Sequence, residues 1–269
     1  MMQALFVREG RRYRPTALAG GPWTRGTLHG GPPSGLLAYG IEQMLAGSGL
    51  QPARMTVDLL RPVPAQPLEL ETSVVRSGRR LQLVDAALLA DGRPVCRASG
   101  LLLRPAEVRP PPLAAPPGSR PEGPDGLEGG RFVDPERMPP GVHVLPGFHT
   151  SVEARRVRGR AGSGRGTVWM RLPMAVVAGE PLTPLLRVAS LADFGNGVGQ
   201  IDVDGETGCI NADLTLYLHR LPVGQWIAIE ARGMLEPDGL GLAHTRLYDH
   251  QGPIGYVTQA LTTMPRYAG

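Results

Sequence analysis

The aspartate in LADFGNGVGQ, residues 191–200, stands where the surrounding sequence makes an acid costly. The run PLTPLLRVASLADF predicts a helix whose buried face has the i, i+3, i+4, i+7 spacing, formed by Leu186, Ala189, Ser190 and Asp193. An acid there faces a dry interior and the negative end of the helix dipole, which costs about 0.3–1 kcal/mol. We expect the glycines to end the helix, and burial to raise the pKa of Asp193 and make it a better general base. The alternative is an acid at an exposed, glycine-capped helix end.

Gln259 occupies a second position where the pattern predicts a dry environment. In GYVTQALTT, strand alternation groups Val257, Gln259 and Leu261 on one face. A buried amide there must find hydrogen-bond partners or cost about 1–3 kcal/mol. The alternative is a core glutamine bonded to the backbone.

Asn211 opens the strand NADLTLYLHR. Strict alternation places it on the face of Asp213 and Thr215, away from Leu214 and Leu216. It is either a polar partner for the acid or a strand-entry residue. If the register is shifted, Thr215 takes its place.

The glycine pair in His29-Gly30-Gly31 stands directly before a predicted helix, PPSGLLAYGIEQML. Glycines at a helix N-terminus expose backbone N–H groups that can hold a developing oxyanion. The alternative is a tight turn in which glycine lets the helix approach the sheet.

Composition excludes several classes of protein. The 28 basic residues are all arginine, outnumber the 24 acids only slightly, and are scattered along 269 residues. Nucleic-acid readers usually interleave a basic stripe with aromatics, and aromatics make up 5% of this chain, so we expect no nucleic-acid partner. No window reaches the ~18 apolar residues of a membrane span and no apolar signal region opens the chain, so we expect a cytoplasmic bacterial protein without membrane contact. Cys96 and Cys209 lack metal or disulfide spacing, which predicts core positions and no metal site.

The chain contains an internal repeat. Residues 52–105 align with residues 211–265 at a shift of 159, which becomes 160 after one inserted residue. The apolar rhythm and the turn positions agree as well, which predicts two copies of one fold. Identical pairs include Ala53 with Ala212, Thr56 with Thr215, Leu59 with Leu218, Arg61 with Arg220, Glu71 with Glu230, and Gly92 with Gly252.

Each copy has the same order of elements, namely a β-region, one helix, and three or four strands separated by turn signals. Long strands joined by short polar turns predict an antiparallel sheet wrapped around the helix, an α+β fold.

A proline-rich linker separates the copies. Residues 104–147 contain 12 of the 28 prolines, including a run of three at 110–112. This composition predicts extended chain crossing one face of the molecule, with Phe132 and Val133 docked on the surface. The predicted division is an N-terminal unit, 1–104, a linker, 105–147, and a C-terminal unit, 148–269.

This organisation resembles the double hotdog of acyl-CoA thioesterase II-type enzymes. In the first copy the resemblance rests on LHGGPPSGLLAYGIEQ and on the strands from ARMTVDLL to CRASG; in the second it rests on ASLADFGNG, NADLTLYLHR and GYVTQAL. It implies two tandem hotdog units, each an antiparallel sheet around one long helix, and thioester hydrolysis without a cofactor or metal.

In that family an Asp, a Thr and a Gln hold the hydrolytic water, which by motif implies catalytic roles for Asp193, Asn211 and Gln259. Asn211 departs from the family Thr; an amide still donates and accepts but is not a rotatable hydroxyl, which predicts a change in rate or substrate. The matching positions in the first copy are Pro52 and Ser99, so this polar set belongs to the second copy alone.

The HGG run also resembles that of single hotdog thioesterases, in which an acid follows on the helix; Glu42 is the candidate here. Arginines outside the helices are candidates for the phosphates of CoA, although scattered arginines usually solvate a surface. The candidate substrate-binding residues are therefore His29, Gly30, Gly31, Glu42, Thr215, Arg61, Arg79 and Arg80.

The resemblance thus predicts hydrolysis of an acyl-CoA or another acyl thioester, in lipid metabolism. The alternatives are a non-catalytic acyl- or CoA-binding protein of the same fold and a hotdog enzyme of a biosynthetic pathway. A hydratase or dehydratase would need a paired histidine and acid on one helix and its overhang, and neither LADFGNG nor GIEQML supplies a histidine. No GxSxG motif is present, which disfavours a serine hydrolase. Hotdog sheets associate with one another, so the resemblance also allows a homo-oligomer.

Overall fold

The computed structural model describes residues 3–45, 47–109, 111, 120–139 and 142–265; most of the proline run at 110–112 lies outside them. The helices are α1 (Gly31–Gln43), α2 (Pro184–Ala192) and α3 (Phe194–Val198). The strands are β1 (Ala4–Glu9), β2 (Arg12–Pro15), β3 (Gln51–Leu59), β4 (Leu68–Arg76), β5 (Leu81–Ala90), β6 (Arg93–Leu103), β7 (Gly130–Arg131), β8 (Glu153–Gly159), β9 (Arg165–Arg171), β10 (Ala175–Val177), β11 (Thr207–Asn211), β12 (Asp213–Leu218), β13 (Trp226–Leu235), β14 (Leu240–Asp249) and β15 (Gly252–Pro265). Within the described ranges, no helix is long and apolar enough to cross a membrane.

The strands form one continuous sheet in the order β10-β1-β2-β4-β5-β6-β3-β12-β15-β14-β13-β9-β8-β7, with β11 pairing on β15. Neighbouring strands along this described path run antiparallel, except that β10 pairs in parallel with β1. Strands β4 to β6 and β10 pack on α1, whereas β9 and β11 to β15 pack on α2 or α3. The fold is therefore the predicted α+β double hotdog.

The two halves of the sheet meet at β3 and β12. Thr56 lies directly opposite Thr215, and their hydroxyl oxygens are 3.3 Å apart. These two residues are equivalent positions of the internal repeat. An approximate twofold axis therefore passes between them and relates the two copies.

Helices α1 and α2 pack antiparallel at the centre of the molecule. At one end, Cβ atoms on Gly31 or Gly35 would collide with Ser190, so only glycine permits this approach of the two helices. At the other end, the Thr183 hydroxyl donates to Glu42 at 3.0 Å. Helix α1 is buried on all sides from Gly31 to Ile41, as expected for a helix enclosed by sheet and helix.

The predicted buried stripe of α2 is confirmed, because Leu186, Ala189, Ser190 and Asp193 are all buried. The prediction that the glycines end the helix was wrong. Helix α2 ends at Ala192, and the glycines form α3, which begins at the next residue after Asp193. A Cβ on Gly195 would lie 2.5 Å from the Gln259 amide oxygen and 2.5 Å from the Thr245 hydroxyl, so α3 rests directly on the sheet.

Part of the linker is built into the fold. The Phe132 amide donates to the Val152 carbonyl at 3.1 Å, and the Val133 amide donates to the His149 carbonyl at 3.0 Å. The Phe132 ring packs against Phe194 with 4.8 Å between centroids. The predicted docking of this segment is thus observed, and it covers the start of α3.

Both cysteines, Cys96 and Cys209, are buried, as predicted for core residues.

Candidate active site

Asp193 lies at the junction of α2 and α3, with only 7% of its surface exposed. Two side chains from the C-terminal half donate to it. The Asn211 amide lies 2.9 Å from Oδ1, and the Gln259 amide nitrogen lies 3.5 Å from the same oxygen and 3.3 Å from the Asp193 carbonyl. The three residues that the sequence motifs single out are therefore brought together.

A histidine from the other half of the chain completes this group. His29 Nδ1 lies 2.9 Å from Asp193 Oδ2 and 3.1 Å from the Gly31 amide nitrogen. One nitrogen cannot donate to the carboxylate and accept from an amide together, and a carboxylate only accepts. The network therefore assigns the proton to Nδ1, which donates to Asp193. The Gly31 N–H then donates to the same carboxylate, a contact that also lowers the pKa of Asp193.

The backbone before α1 lies against the carboxylate. A Cβ on Gly30 would lie 2.7 Å from Asp193 Oδ2 and 2.9 Å from Oδ1, so the carboxylate rests on the bare Cα. The positive end of the α1 dipole faces this negative charge, which stabilises it. Pro32 and Pro33 follow Gly31 and carry no N–H, so the first turn offers fewer donors than a glycine-rich helix start predicts.

The pKa of Asp193 is lowered, not raised as the sequence predicted. Burial pushes the pKa of this carboxyl upward, but the hydrogen bond and charge of His29, the Asn211 amide and the Gly31 N–H outweigh burial. A carboxylate with this many donors remains ionised in neutral solution. It can therefore hold and polarise a water molecule without first losing a proton.

Gln259 is fully buried, and its neighbours Val257 and Leu261 are buried on the same face, which confirms the predicted alternation. Its Oε1 accepts from the Asn196 amide in the first turn of α3 at 2.8 Å. That bond orients the amide, because the oxygen faces the helix and the NH2 group must face Asp193. Gln259 therefore caps α3 and holds the acid in the same interaction.

The predicted face of Asn211 was wrong. Pairing with β15 places Asn211 opposite Leu261 but Thr215 opposite Thr258, so the register shifts by one residue between them. This irregularity around Ala212 turns Asn211 inward to Asp193, onto the same side as the buried Leu214. The sequence prediction assumed a regular strand, in which side chains alternate between faces, and a bulge breaks that alternation.

Aromatic rings form one wall of the site. The His29 ring lies 4.9 Å from Phe194, 5.2 Å from Phe148 and 6.2 Å from His149, measured between centroids. His149, which the sequence reasoning missed, is buried, and neither ring nitrogen has a well-formed hydrogen bond within the described residues. Burial and the neighbouring His29 lower the pKa of His149 to about 4, with a weak backbone contact at Leu145 opposing this. The ring is therefore neutral at ordinary pH.

Glu42 and Thr215 do not join the site. Glu42 lies at the far end of α1, about 17 Å along the helix from Gly31 at 1.5 Å per residue, and accepts from Thr183. Burial raises its pKa, and the Thr183 bond opposes that rise. Thr215 bonds to Thr56 at the junction of the two halves.

The three candidate arginines lie on the surface. Arg61 follows β3, whereas Arg79 and Arg80 lie in the β4–β5 turn, where their carbonyls accept from Arg104. All three side chains are exposed, and none of the described contacts links them to Asp193. Their predicted contact with CoA phosphates stays a prediction.

The pairing of His29 with Asp193 is the main feature that sequence reasoning missed. It treated the HGG run and the ASLADFGNG run as separate sites. The internal repeat could have predicted this pairing, because two copies related by a twofold axis pack their helices antiparallel. The start of the first helix then lies beside the end of the second. The sequence argued against a hydratase because no histidine stands near the acid in either motif. The structure does place a histidine, His29, beside Asp193.

The arrangement is suited to hydrolytic chemistry at Asp193, an ionised carboxylate that accepts several hydrogen bonds. Among the described residues, no group of three His, Cys, Asp or Glu side chains could hold a metal ion. Asp193 can accept a proton at this site, and the amides and His29 can donate hydrogen bonds.

Models of two domains of one enzyme family match the chain. The acyl-CoA thioesterase N-terminal domain matches residues 19–103, and the acyl-CoA thioesterase C-terminal domain matches residues 120–263. His29 and Gly31 fall within the first match, and Asp193, Asn211 and Gln259 fall within the second. A search of curated proteins finds no significant match.

Solved structures with the same architecture cover almost the whole chain. A TesB protein of Mycobacterium avium subspecies paratuberculosis superposes with a TM-score of 0.65 at 19% identity, over 97% of this chain and 96% of that one. An acyl-CoA thioesterase II, TesB2, from Mycobacterium marinum gives 0.66 at 14% identity, over 100% and 96%. A protein with a hot dog fold from Alicyclobacillus acidocaldarius gives 0.69 at 20% identity, over 96% and 95%. At these identities the likeness shows the fold.

Proposed function

The chain belongs to the acyl-CoA thioesterase family, and from this premise we propose that it hydrolyses an acyl-CoA or related acyl thioester with water activated at Asp193. Family membership makes it a thioester hydrolase. The observation that supports the finer mechanism is the buried carboxylate of Asp193, which accepts from His29 in one half and from Asn211 in the other.

The longest contact of the carboxylate indicates where water binds. Of the three side chains that donate to the Asp193 carboxylate, Gln259 is the most distant, with its amide nitrogen 3.5 Å from Oδ1, against 2.9 Å for His29 and for Asn211. In the proposed mechanism a water molecule takes up this contact, accepting from Gln259 and donating to Asp193. His29 and Asn211 keep the carboxylate in position meanwhile.

The chemical step follows from this placement. The water oxygen attacks the thioester carbonyl carbon while its proton passes to Asp193. The carbonyl oxygen becomes an oxyanion, which the Gly30 N–H meets at the start of α1. The C–S bond then breaks, the proton passes to the departing thiolate, and a carboxylic acid and a thiol such as CoA leave. The lowered pKa of Asp193 makes it a modest base, so positioning carries much of the rate.

The remaining predictions are part of this proposal. The acyl thioester is the partner, and the site works in the cytoplasm without a cofactor. The proposal also includes the division into an N-terminal unit, 1–104, a linker, 105–147, and a C-terminal unit, 148–269.

Incubation of the purified full chain with acyl-CoAs from short to long, with detection of free thiol, tests the proposal. Turnover of at least one chain length is expected. Binding of acyl-CoA without thiol release would contradict it and favour the non-catalytic acyl-binding protein.

A second candidate function has one specific observation in its favour. The His29–Asp193 pair brings together a histidine and an acid, the two groups that a hydratase of this fold would use, although they come from different helices' ends. Incubation with a 2-enoyl-CoA distinguishes the two reactions, because hydration consumes the double bond and releases no thiol. We expect thiol release.

A further inference from the structure

A cluster of arginines lines a groove on the outer face of the C-terminal sheet. The groove has a volume of about 360 Å³, and its charged lining residues are Arg158, Arg165, Glu230, Arg232 and Arg246, with His244 beside them. Four cationic side chains thus surround one carboxylate. This face is turned away from the site, because Val168 and Met170 of the same strand belong to the central core whereas Trp169 packs outside it.

Strand pairing forces these charges together. Arg165 is directly opposite Arg232, and Arg232 is directly opposite His244. In the adjacent row, Glu230 is directly opposite Arg246. Like charges directly opposite each other on neighbouring strands destabilise a sheet. An anion between these rows would relieve this repulsion.

The one carboxylate of the groove is already engaged. Glu230 forms an ion pair with Arg158 and accepts from the Tyr248 hydroxyl at 2.8 Å. No ion pair is formed by Arg165, Arg232 or Arg246 within the described residues. Their guanidinium groups therefore keep donors available for a ligand.

A buried hydroxyl lies at the floor of the same groove. Thr167 lines the groove and is directly opposite Arg158 on one neighbouring strand and Glu230 on the other. Its side chain is fully buried, and its Oγ1 lacks a hydrogen-bond partner among the described residues. A buried hydroxyl without a partner is costly. A ligand oxygen that reaches the groove floor would satisfy it.

We propose that this groove, formed by Arg158, Arg165, Arg232, Arg246 and Thr167, binds a diphosphate-bearing anion at a site separate from Asp193. Guanidinium groups match phosphate oxygens in bidentate geometry, and two linked phosphates spread charge over adjacent rows as these arginines do. The same chemistry is offered by free diphosphate and by the diphosphate of CoA.

Calorimetric titration of the full chain with pyrophosphate at about 0.15 M ionic strength tests the site, since surface charge alone is largely screened there. Saturable binding of one pyrophosphate per chain is expected. Arg232→Gln should weaken it about 10- to 100-fold, the loss expected for one charge-assisted contact. Glu230→Gln should strengthen it, because the carboxylate repels the anion. The matched control is Arg12→Gln, which removes an exposed arginine paired with Glu69 and should leave affinity unchanged.

Titration with CoA identifies the source of the diphosphate. CoA that displaces bound pyrophosphate from the wild type assigns the groove to CoA; CoA that leaves pyrophosphate binding unchanged assigns it to free diphosphate. Absence of saturable pyrophosphate binding, or equal weakening by Arg232→Gln and Arg12→Gln, would overturn the proposal. Thiol release is not a readout here, so failure of this site is distinct from failure of the proposed hydrolysis.

Discussion

His29 Nδ1 lies 2.9 Å from Asp193 Oδ2, and the two residues belong to different copies of the internal repeat. Their meeting depends on the antiparallel packing of α1 against α2, which Gly31, Gly35 and Ser190 make close. Neither copy alone contains both the acid and its histidine donor. The proposed site is therefore composite, with groups from both halves of the chain.

Replacement of His29 tests this link. His29→Phe retains the ring packing but removes the donor to Asp193, and hydrolysis at pH 7 should fall about 10- to 100-fold, the effect of one charge-assisted hydrogen bond. The pKa of Asp193 should rise, because His29 is the main group that lowers it against burial. The acid limb of the kcat/KM profile should thus move to higher pH. His29→Asn, which restores a nearby N–H donor, should recover part of the hydrolysis rate and part of the shift in the acid limb. If the acid limb of His29→Phe stays at the wild-type pH, His29 does not lower the pKa of Asp193.

Gly30→Ala tests the contact between the backbone and the carboxylate. The added Cβ would lie 2.7 Å from Asp193 Oδ2, so the carboxylate must shift. Displacement of a catalytic group by about 1 Å costs about 100-fold in rate. The control is Gly129→Ala, whose Cβ would meet nothing closer than 3.9 Å. Steady-state kinetics on both variants check the prediction, which fails if the two retain equal activity.

Gln259→Met should affect stability and activity together. It leaves the Asn196 amide and Asp193 without their Gln259 partners in a buried environment. We expect the free energy of unfolding to fall by about 1–3 kcal/mol and hydrolysis to be lost. Chemical denaturation measures the first effect. A variant as stable as the wild type would show that Gln259 does not cap α3.

The pH dependence of stability should report His149. Its pKa is lowered to about 4 in the folded protein, from the ordinary value of 6.5. Between these two pH values, His149 binds a proton in the unfolded chain but not in the folded protein. The contribution of neutral His149 to folding stability is therefore complete above pH 6.5 and declines as the pH falls toward 4. The slope should approach about 1.4 kcal/mol per pH unit. His149→Phe should flatten this part of the profile, and the exposed-site control His219→Ala should not.

The order of the main helices and strands, and much of their exposure pattern, were predictable from local sequence. The stripe of α2 and the alternation around Gln259 identified two polar residues in a dry interior, because period and burial are properties of a single segment. The motif resemblance added Asn211, although the bulge at Ala212 that turns it inward has no glycine or proline to signal it.

The electrostatics of the site were not predictable in the same way. The pKa of Asp193 depends on how many donors meet it, and two of these, His29 and the Gly31 amide, come from the other copy. Burial alone gave the wrong direction. Likewise, Gly195 looked like a helix stop, and only the close approach of α3 to β14 and β15 shows why a glycine is needed there.

The proposed hydrolysis depends most directly on Asp193. Asp193→Asn keeps the shape and size of the side chain but removes the proton acceptor, and kcat/KM for acyl-CoA hydrolysis should fall about 100- to 10,000-fold. Circular dichroism and thermal unfolding should show a folded protein. Comparison of thiol release by wild type and Asp193→Asn, on the acyl-CoA that the wild type cleaves fastest, is the decisive measurement. A loss of this size with the fold intact is the predicted result, and a folded Asp193→Asn with wild-type thiol release would contradict the account.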